Sequence, residues 1–294
     1  MKIFNYIFYL FVLASLTLYS CEKEAPETIN PSLVEAEGFI NEYVALQSSA
    51  YDALNIVGDV LLRTQKEIQA ASTTAQNLTF DDCEAQISIV KTSNDLVQIS
   101  IDYGEANCPD AITNKTRGGK IIVQQTGTTT YYSSGHQMSV TFDNFQLNSQ
   151  ALSGTIAVKN TSKSSDFTLE DTVKQQLTYT NFQLNANGML GSGYQERGLI
   201  KGLQSRSIGD DMYWSDTTHL TIVEQASNTN KYTIVDPEIG KDPLIFDMFC
   251  WNNQVYYPTK GIINISFESA SVSKVATVDF GNGACERFKT VTVE

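Results

Sequence analysis

From about residue 72 to its end this chain holds no extended run of helical periodicity, only short stretches in which apolar and polar residues alternate. Alternation sends successive side chains to opposite faces of an extended backbone, the signature of a strand buried on one side. Nine segments carry it: Gln86–Val90, Val97–Ile101, Lys120–Val123, Met138–Phe142, Thr155–Val158, His219–Val223, Lys231–Val235, Gly261–Phe267 and Val275–Asp279. The residues between them are rich in Asn, Gly, Ser and Asp, which form tight turns. Parallel pairing needs a crossover of about a dozen residues, usually a helix, so connections this short dictate antiparallel pairing. The expected fold is mainly β with an N-terminal helical segment (α+β). Its large antiparallel meander sheet is curved or closed, as a clam, barrel or sandwich, and a curved sheet wrapped on the helix is the first choice.

The helical segment spans 32–71. Ile40, Tyr43, Val44, Gln47, Tyr51, Leu54, Val57, Leu61 and Ile68 recur at three- and four-residue steps, giving one mostly apolar stripe. Ser32 and Glu35 have the spacing of a capping box. Gly58 marks a break or a close contact, so the segment is one long helix or two shorter ones. The stripe is expected to pack on the sheet, which then occupies 72–294 as one domain or two.

Two internal repeats refine the β region. Val140–Asn148 matches Leu177–Asn185 at a period of 37, and the register continues to Gly154 and Gly191. A strand, a polar turn and a returning strand therefore occur twice, with Phe142, Phe145, Leu147 or their counterparts packing and Asn148 or Asn185 turning. The second repeat, Asp102-Tyr103-Gly104 through Cys108 against Asp279-Phe280-Gly281 through Cys285, ends a strand each time. In it the Gly suits positive φ, the Asp accepts turn amides and the Cys staples the turn. Together with Arg117–Ile122 and the Asn-Phe-Gln-Leu-Asn segments, these motifs resemble a family of uncharacterised β-rich lipoproteins from Bacteroidetes-type bacteria. The resemblance implies a location and a sheet-rich fold, and no activity.

The N-terminus is an address. Lys2 precedes a largely apolar run from Ile3 to Leu18, followed by Tyr19-Ser20-Cys21, and the run is short for a bilayer span. It resembles a bacterial lipoprotein signal, which implies a signal peptide over 1–20, acylation (palmitate among the chains) of Cys21 as the mature N-terminus, and an outer-membrane location. Residues 21–31, with Glu22, Glu24 and Glu27, form an acidic tether. In Bacteroidetes-type lipoproteins such a stretch resembles the signal for surface display, so both the periplasmic face and the cell surface stay open. With Cys21 set aside, Cys83, Cys108, Cys250 and Cys285 can all pair in an oxidising compartment. Of the three connectivities, Cys83 with Cys108 and Cys250 with Cys285 is favoured, because each pair brackets a short β-rich stretch. Free buried thiols are the alternative. No C-x-x-C spacing suggests zinc.

Charge and motifs narrow the function. With 20 basic against 33 acidic residues, a formal charge of −13, nucleic acid is not an expected partner, and membrane contact is expected through acyl chains alone. Asp279-Phe280-Gly281 lacks every other kinase element. His136 and His219 are the only histidines, in a polar turn and in a strand, and no nucleophile elbow accompanies them. Asp81-Asp82 and Asp210-Asp211 are acid pairs in turn-like contexts. Asp102, Glu105 and Asp110, or Asp279, Asn282 and Glu286, offer calcium-type oxygens, but the turn role suffices for them. Tyr131-Tyr132, Tyr213-Trp214, Trp251 and Tyr256-Tyr257 form either packing or a sugar-stacking face, packing being the default. Asp171-Thr172-Val173 and Asp216-Thr217-Thr218 look like acceptors of Bacteroidetes-type O-glycosylation. The expectation is an outer-membrane lipoprotein that binds or scaffolds without catalysis, needs no cofactor or metal, and has an apolar or glycan ligand as an open partner. The alternatives are a carrier of an apolar ligand between sheet and helix, then a glycan hydrolase.

Overall fold

A computed structural model describes residues 31–79, 85–93, 95–105, 108–109, 115–162, 173–185, 188–202, 210–224, 231–235, 242–252, 255, 257–269, 272–286 and 290–294. Helix α1 runs Pro31–Arg63, and a short α2 follows at Gln65–Gln69. Helix α1 has 33 residues, about 50 Å of rod at 1.5 Å per residue. It passes through Gly58 without a break. The interruption falls at Thr64, whose hydroxyl donates to the Val60 carbonyl at 2.7 Å. The described part of the helix begins at Pro31, one residue before Ser32.

The strands are β1 (Gln76–Thr79), β2 (Gln86–Ser93), β3 (Leu96–Asp102), β4 (Cys108–Pro109), β5 (Thr116–Thr126), β6 (Gln137–Leu147), β7 (Gln150–Asn160) and β8 (Lys174–Leu184), continued by β9 (Met189–Lys201), β10 (Met212–Glu224), β11 (Lys231–Val235), β12 (Leu244–Asp247), β13 (Lys260–Ser269), β14 (Val272–Asn282) and β15 (Thr290–Val293). Helix α3, Met248–Asn252, follows β12 directly. All nine segments read from alternation are strands. The short β1, β4, β12 and β15 carry too few residues to show a period. The strands form one antiparallel sheet that follows chain order, β1-β2-β3-β5 through β11-β13-β14-β15. Two short strands fill gaps in line with a neighbour. β4 continues β3 along the edge of β5, and β12 continues β11 between β10 and β13, closing a small ring of pairings.

Repeated bulges bend the sheet. Asn144 in β6 and Asn181 in β8, 37 residues apart, take φ of 51° and 48°, and each breaks the pairing register of its strand. Opposite them stand Gly119 and Gly154: a Cβ there would sit 2.1 Å from the Asn144 carbonyl oxygen and 2.2 Å from that of Asn181. An extra residue on one strand facing a bare glycine on the next lets the backbones close up and increases local twist. Asn148 and Asn185 repeat as well, each with positive φ, their side chains accepting the N–H of Thr116 at 2.9 Å and of Ala151 at 3.2 Å.

The curved sheet encloses the helix. From Tyr43 to Leu62 every residue of α1 is buried or half-buried, so the single stripe read from the sequence understates the packing. Phe39 stacks on Tyr232 of β11 at 3.9 Å between ring centres, Tyr51 packs on Phe246 of β12 at 4.6 Å, and Leu46 lies over Gly191 of β9. Each large apolar side chain buried this fully contributes about 1.5–3 kcal/mol.

Candidate functional site

Several polar side chains of α1 are buried too, and Gln47 and Asp52 meet partners outside the helix. Gln47 donates to Gln195 on β9 at 2.6 Å; Gln195 also accepts from Tyr179 on β8 at 3.0 Å and donates to Ser215 on β10 at 2.6 Å. Asp52 pairs with Lys115 at 2.8 Å, and Arg117 lies 3.8 Å from its other oxygen. The Lys115 ammonium stands 5.5 Å from the ring centre of Trp251.

Arg197, on the inward face of β9, is the largest fully buried side chain. Its Nε donates to Gln175 of β8 and its Nη2 to the Tyr131 hydroxyl, both at 2.9 Å. The guanidinium lies 5.3 Å from the ring of Tyr51 on α1 and 4.6 Å from that of Tyr213 on β10. Aromatic faces carry negative potential, so they stabilise a cation that never loses its proton. Next to it Asp211 accepts the hydroxyls of Tyr132, at 3.2 Å, and Tyr213. Burial pushes the Asp211 carboxyl up to about 6, with the two tyrosine hydrogen bonds pulling against it. Burial also holds both phenols well above their ordinary range, so they stay protonated and serve as donors. The cluster can carry a charge and bind one proton near pH 6; it ties α1 to three strands and the segment after β5, and presents no activated nucleophile among the described residues.

The residues singled out in the sequence divide clearly. Cys250, on α3, is bonded to Cys285, after β14, as expected. Cys108 is also disulfide-bonded, while Cys83, expected as its partner, and Cys21 lie outside the described residues. In the Asp-aromatic-Gly repeats the carboxylates of Asp102 and Asp279 accept the N–H of Gly104 at 2.9 Å and Gly281 at 2.7 Å, and both glycines have positive φ. That backbone bond, then Lys120 at 3.1 Å, holds the Asp102 carboxyl below its usual value. The turn role accounts for both loops; Asp110 lies outside the described residues, and among those described no three metal-type ligands cluster.

His136 is buried, with its Nδ1 beside the Thr129 hydroxyl at 3.2 Å, and burial pushes it down to about 4, so it is neutral at ordinary pH. His219 is exposed and stacks with Tyr194 of β9, ring centres 6.0 Å apart. Asp81, Asp82, Asp171 and Thr172 lie outside the described residues. Asp210 is exposed while its neighbour Asp211 is sealed inside, which separates that acid pair. Of the aromatic pairs, Tyr131, Tyr132, Tyr213 and Trp251 are buried, Tyr257 is half-buried with its hydroxyl on Asn41, and Tyr256 lies outside the described residues. Trp214, half-buried between the inward Tyr213 and Ser215, lies on the outer face.

The chain matches no protein-family model, no curated protein and no solved structure. Its chemistry is therefore read from the geometry alone. The outer face of β5 to β10 is the other organised surface. It carries a shallow groove of about 350 Å³ lined by Gln124, Ser139, Ala157, Lys159, Gln176 and Thr178, with the exposed Tyr194, His219 and half-buried Trp214 beyond. Sequence reasoning missed Arg197 and Tyr194. In Tyr194-Gln195-Glu196-Arg197 every residue is polar or amphipathic, so no apolar alternation marks which face is which.

Proposed function

We propose that this protein is an exported lipoprotein of the outer membrane, anchored by acyl chains on Cys21, and that it works by binding or scaffolding without catalysis. The observation that carries the binding half is the occupied interior. Side chains of α1 meet the sheet directly, as Gln47 meets Gln195 and Tyr51 meets Arg197, which leaves the outer sheet face as the surface available to a partner. The same packing counts against a carrier, which needs an apolar cavity between helix and sheet. Asp211, the carboxylate pushed upward, is covered by Tyr132 and Tyr213, which disfavours a glycan hydrolase.

For the address, the support is the order Lys2, apolar run, Cys21 in the sequence, together with a Cys250–Cys285 bridge suited to an oxidising compartment. No helix of the described residues is long and apolar enough to cross a membrane. The likeness to β-rich lipoproteins of Bacteroidetes-type bacteria belongs to the same proposal. Intact-protein mass spectrometry of detergent-extracted material tests it. A chain beginning at Cys21 with diacyl or triacyl mass supports the anchor; an unmodified Cys21 overturns the localisation.

A further inference from the structure

We infer that the outer face of β5 to β10 is a docking strip for an uncharged, extended glycan chain, a step that names the ligand class for the non-catalytic binding role proposed above. Gln124, Ser139, Ala157, Thr178, Tyr194 and His219 stand in direct cross-strand register, one per strand, on six successive strands. With strands about 4.8 Å apart, the row is about 24 Å long. The step between rungs is close to the advance of one pyranose unit along an extended glycan. The amide of Gln124 and the hydroxyls of Ser139 and Thr178, with the small Ala157 between them, therefore stand at one or two steps of the sugar-unit pitch, over the groove described above.

The row ends on aromatic surfaces of the right kind. Tyr194 is 39% exposed and stacks with His219, at an interplanar angle of 29°. Four residues along β9, roughly 13 Å away at the usual strand rise, Trp214 lies flat on Gly198. A Cβ on Gly198 would fall 2.2 Å from the indole, so the ring is laid against the sheet itself, with the Lys174 ammonium 5.4 Å from its centre. Sugars present one face of C–H groups and a rim of hydroxyls. The C–H face packs on an aromatic plane while the rim reaches neighbouring amides and charged heads. Lys159, Lys174 and Glu196 sum to a single positive charge, so on a chain of formal charge −13 this strip carries little charge of its own and offers only a weak field for a charged polymer.

The test uses the full chain in detergent, by affinity electrophoresis in gels containing hydroxyethyl cellulose, galactomannan, laminarin or, as the charged comparison, alginate. Tryptophan fluorescence runs in parallel, since the chain has two tryptophans and Trp251 is buried. The inference expects retardation by at least one neutral polysaccharide, a shifted tryptophan emission, and at least tenfold weaker binding in Trp214→Ala and in Tyr194→Ala with unchanged unfolding curves. Tyr194→Ala, at an exposed site, decides the matter if Trp214→Ala does not fold. Migration unaffected by every neutral polysaccharide, binding to alginate alone, or variants that bind like the wild type would overturn it. Release of reducing ends from a bound polysaccharide would keep the strip and sink the non-catalytic reading; no binding at all would sink the strip and leave that reading standing.

Discussion

The guanidinium of Arg197 on β9 lies 4.6 Å from the ring centre of Tyr213 on the adjacent β10, while its nitrogens bond Gln175 and Tyr131. A buried cation thus draws on three strands and the segment after β5, and Tyr51 adds the helix. Replacing it leaves several polar atoms without partners and opens a cavity. Arg197→Ala is expected to destabilise the protein by about 3–5 kcal/mol. Arg197→Met fills the space and removes the buried charge, so its cost should be about half as large. Urea unfolding of the two variants checks both the size and the order.

Two buried groups near this cluster pull stability in opposite directions with pH. Asp211 titrates near 6 in the folded protein against 3.8 in its ordinary environment, so the folded state holds its proton more tightly. Its contribution is fully present below about pH 4 and is lost as pH rises through 6. His136 titrates near 4 against 6.5, so its contribution is present above pH 6.5 and is lost as pH falls through 4. Each is worth about 3 kcal/mol, and together they nearly cancel. Asp211→Asn should therefore unmask a loss of stability on the acid side, and His136→Gln a loss as pH rises. Thermal unfolding of the three proteins between pH 4 and 7 measures the slopes; parallel slopes would contradict the assignment.

The bulges make a sharper structural prediction. Gly119 and Gly104 both have positive φ, at 74° and 71°, but a Cβ on Gly119 meets the Asn144 backbone and one on Gly104 meets nothing within 4 Å. Gly104→Ala should cost about 1 kcal/mol, the penalty of the left-handed conformation. Gly119→Ala should cost several times more, because it forces two strands apart. Gly154→Ala should behave like Gly119→Ala, being its equivalent across from Asn181.

Much of this architecture was legible in the residues. Alternation located nine strands, short turns made them antiparallel, and the period of 37 anticipated equal roles for Asn148 and Asn185. The bulges at Asn144 and Asn181 were less visible, since an Asn inside a strand reads as an ordinary polar position until its partner glycine is known. The depth of α1 was hidden for a related reason. Ser49 and Asp52, off the apolar stripe, look like a solvated face by composition, yet the helix backbone and Lys115 supply their partners from inside. For the site, the sequence marked tyrosine pairs without showing that Arg197 and Asp211 would gather them. It also gave Trp214 no sign of turning outward while its neighbour Tyr213 turned in.

We propose that α1 is a permanent part of the core inside the sheet and not a lid over cargo. Hydrogen exchange of the folded protein, resolved by peptide, tests it most directly. The account predicts that amides from Tyr43 to Leu61 exchange as slowly as those of β8 and β9, by the same global opening. Exchange of the helix well ahead of the strands, as for a lid that lifts, would contradict it and restore the carrier reading.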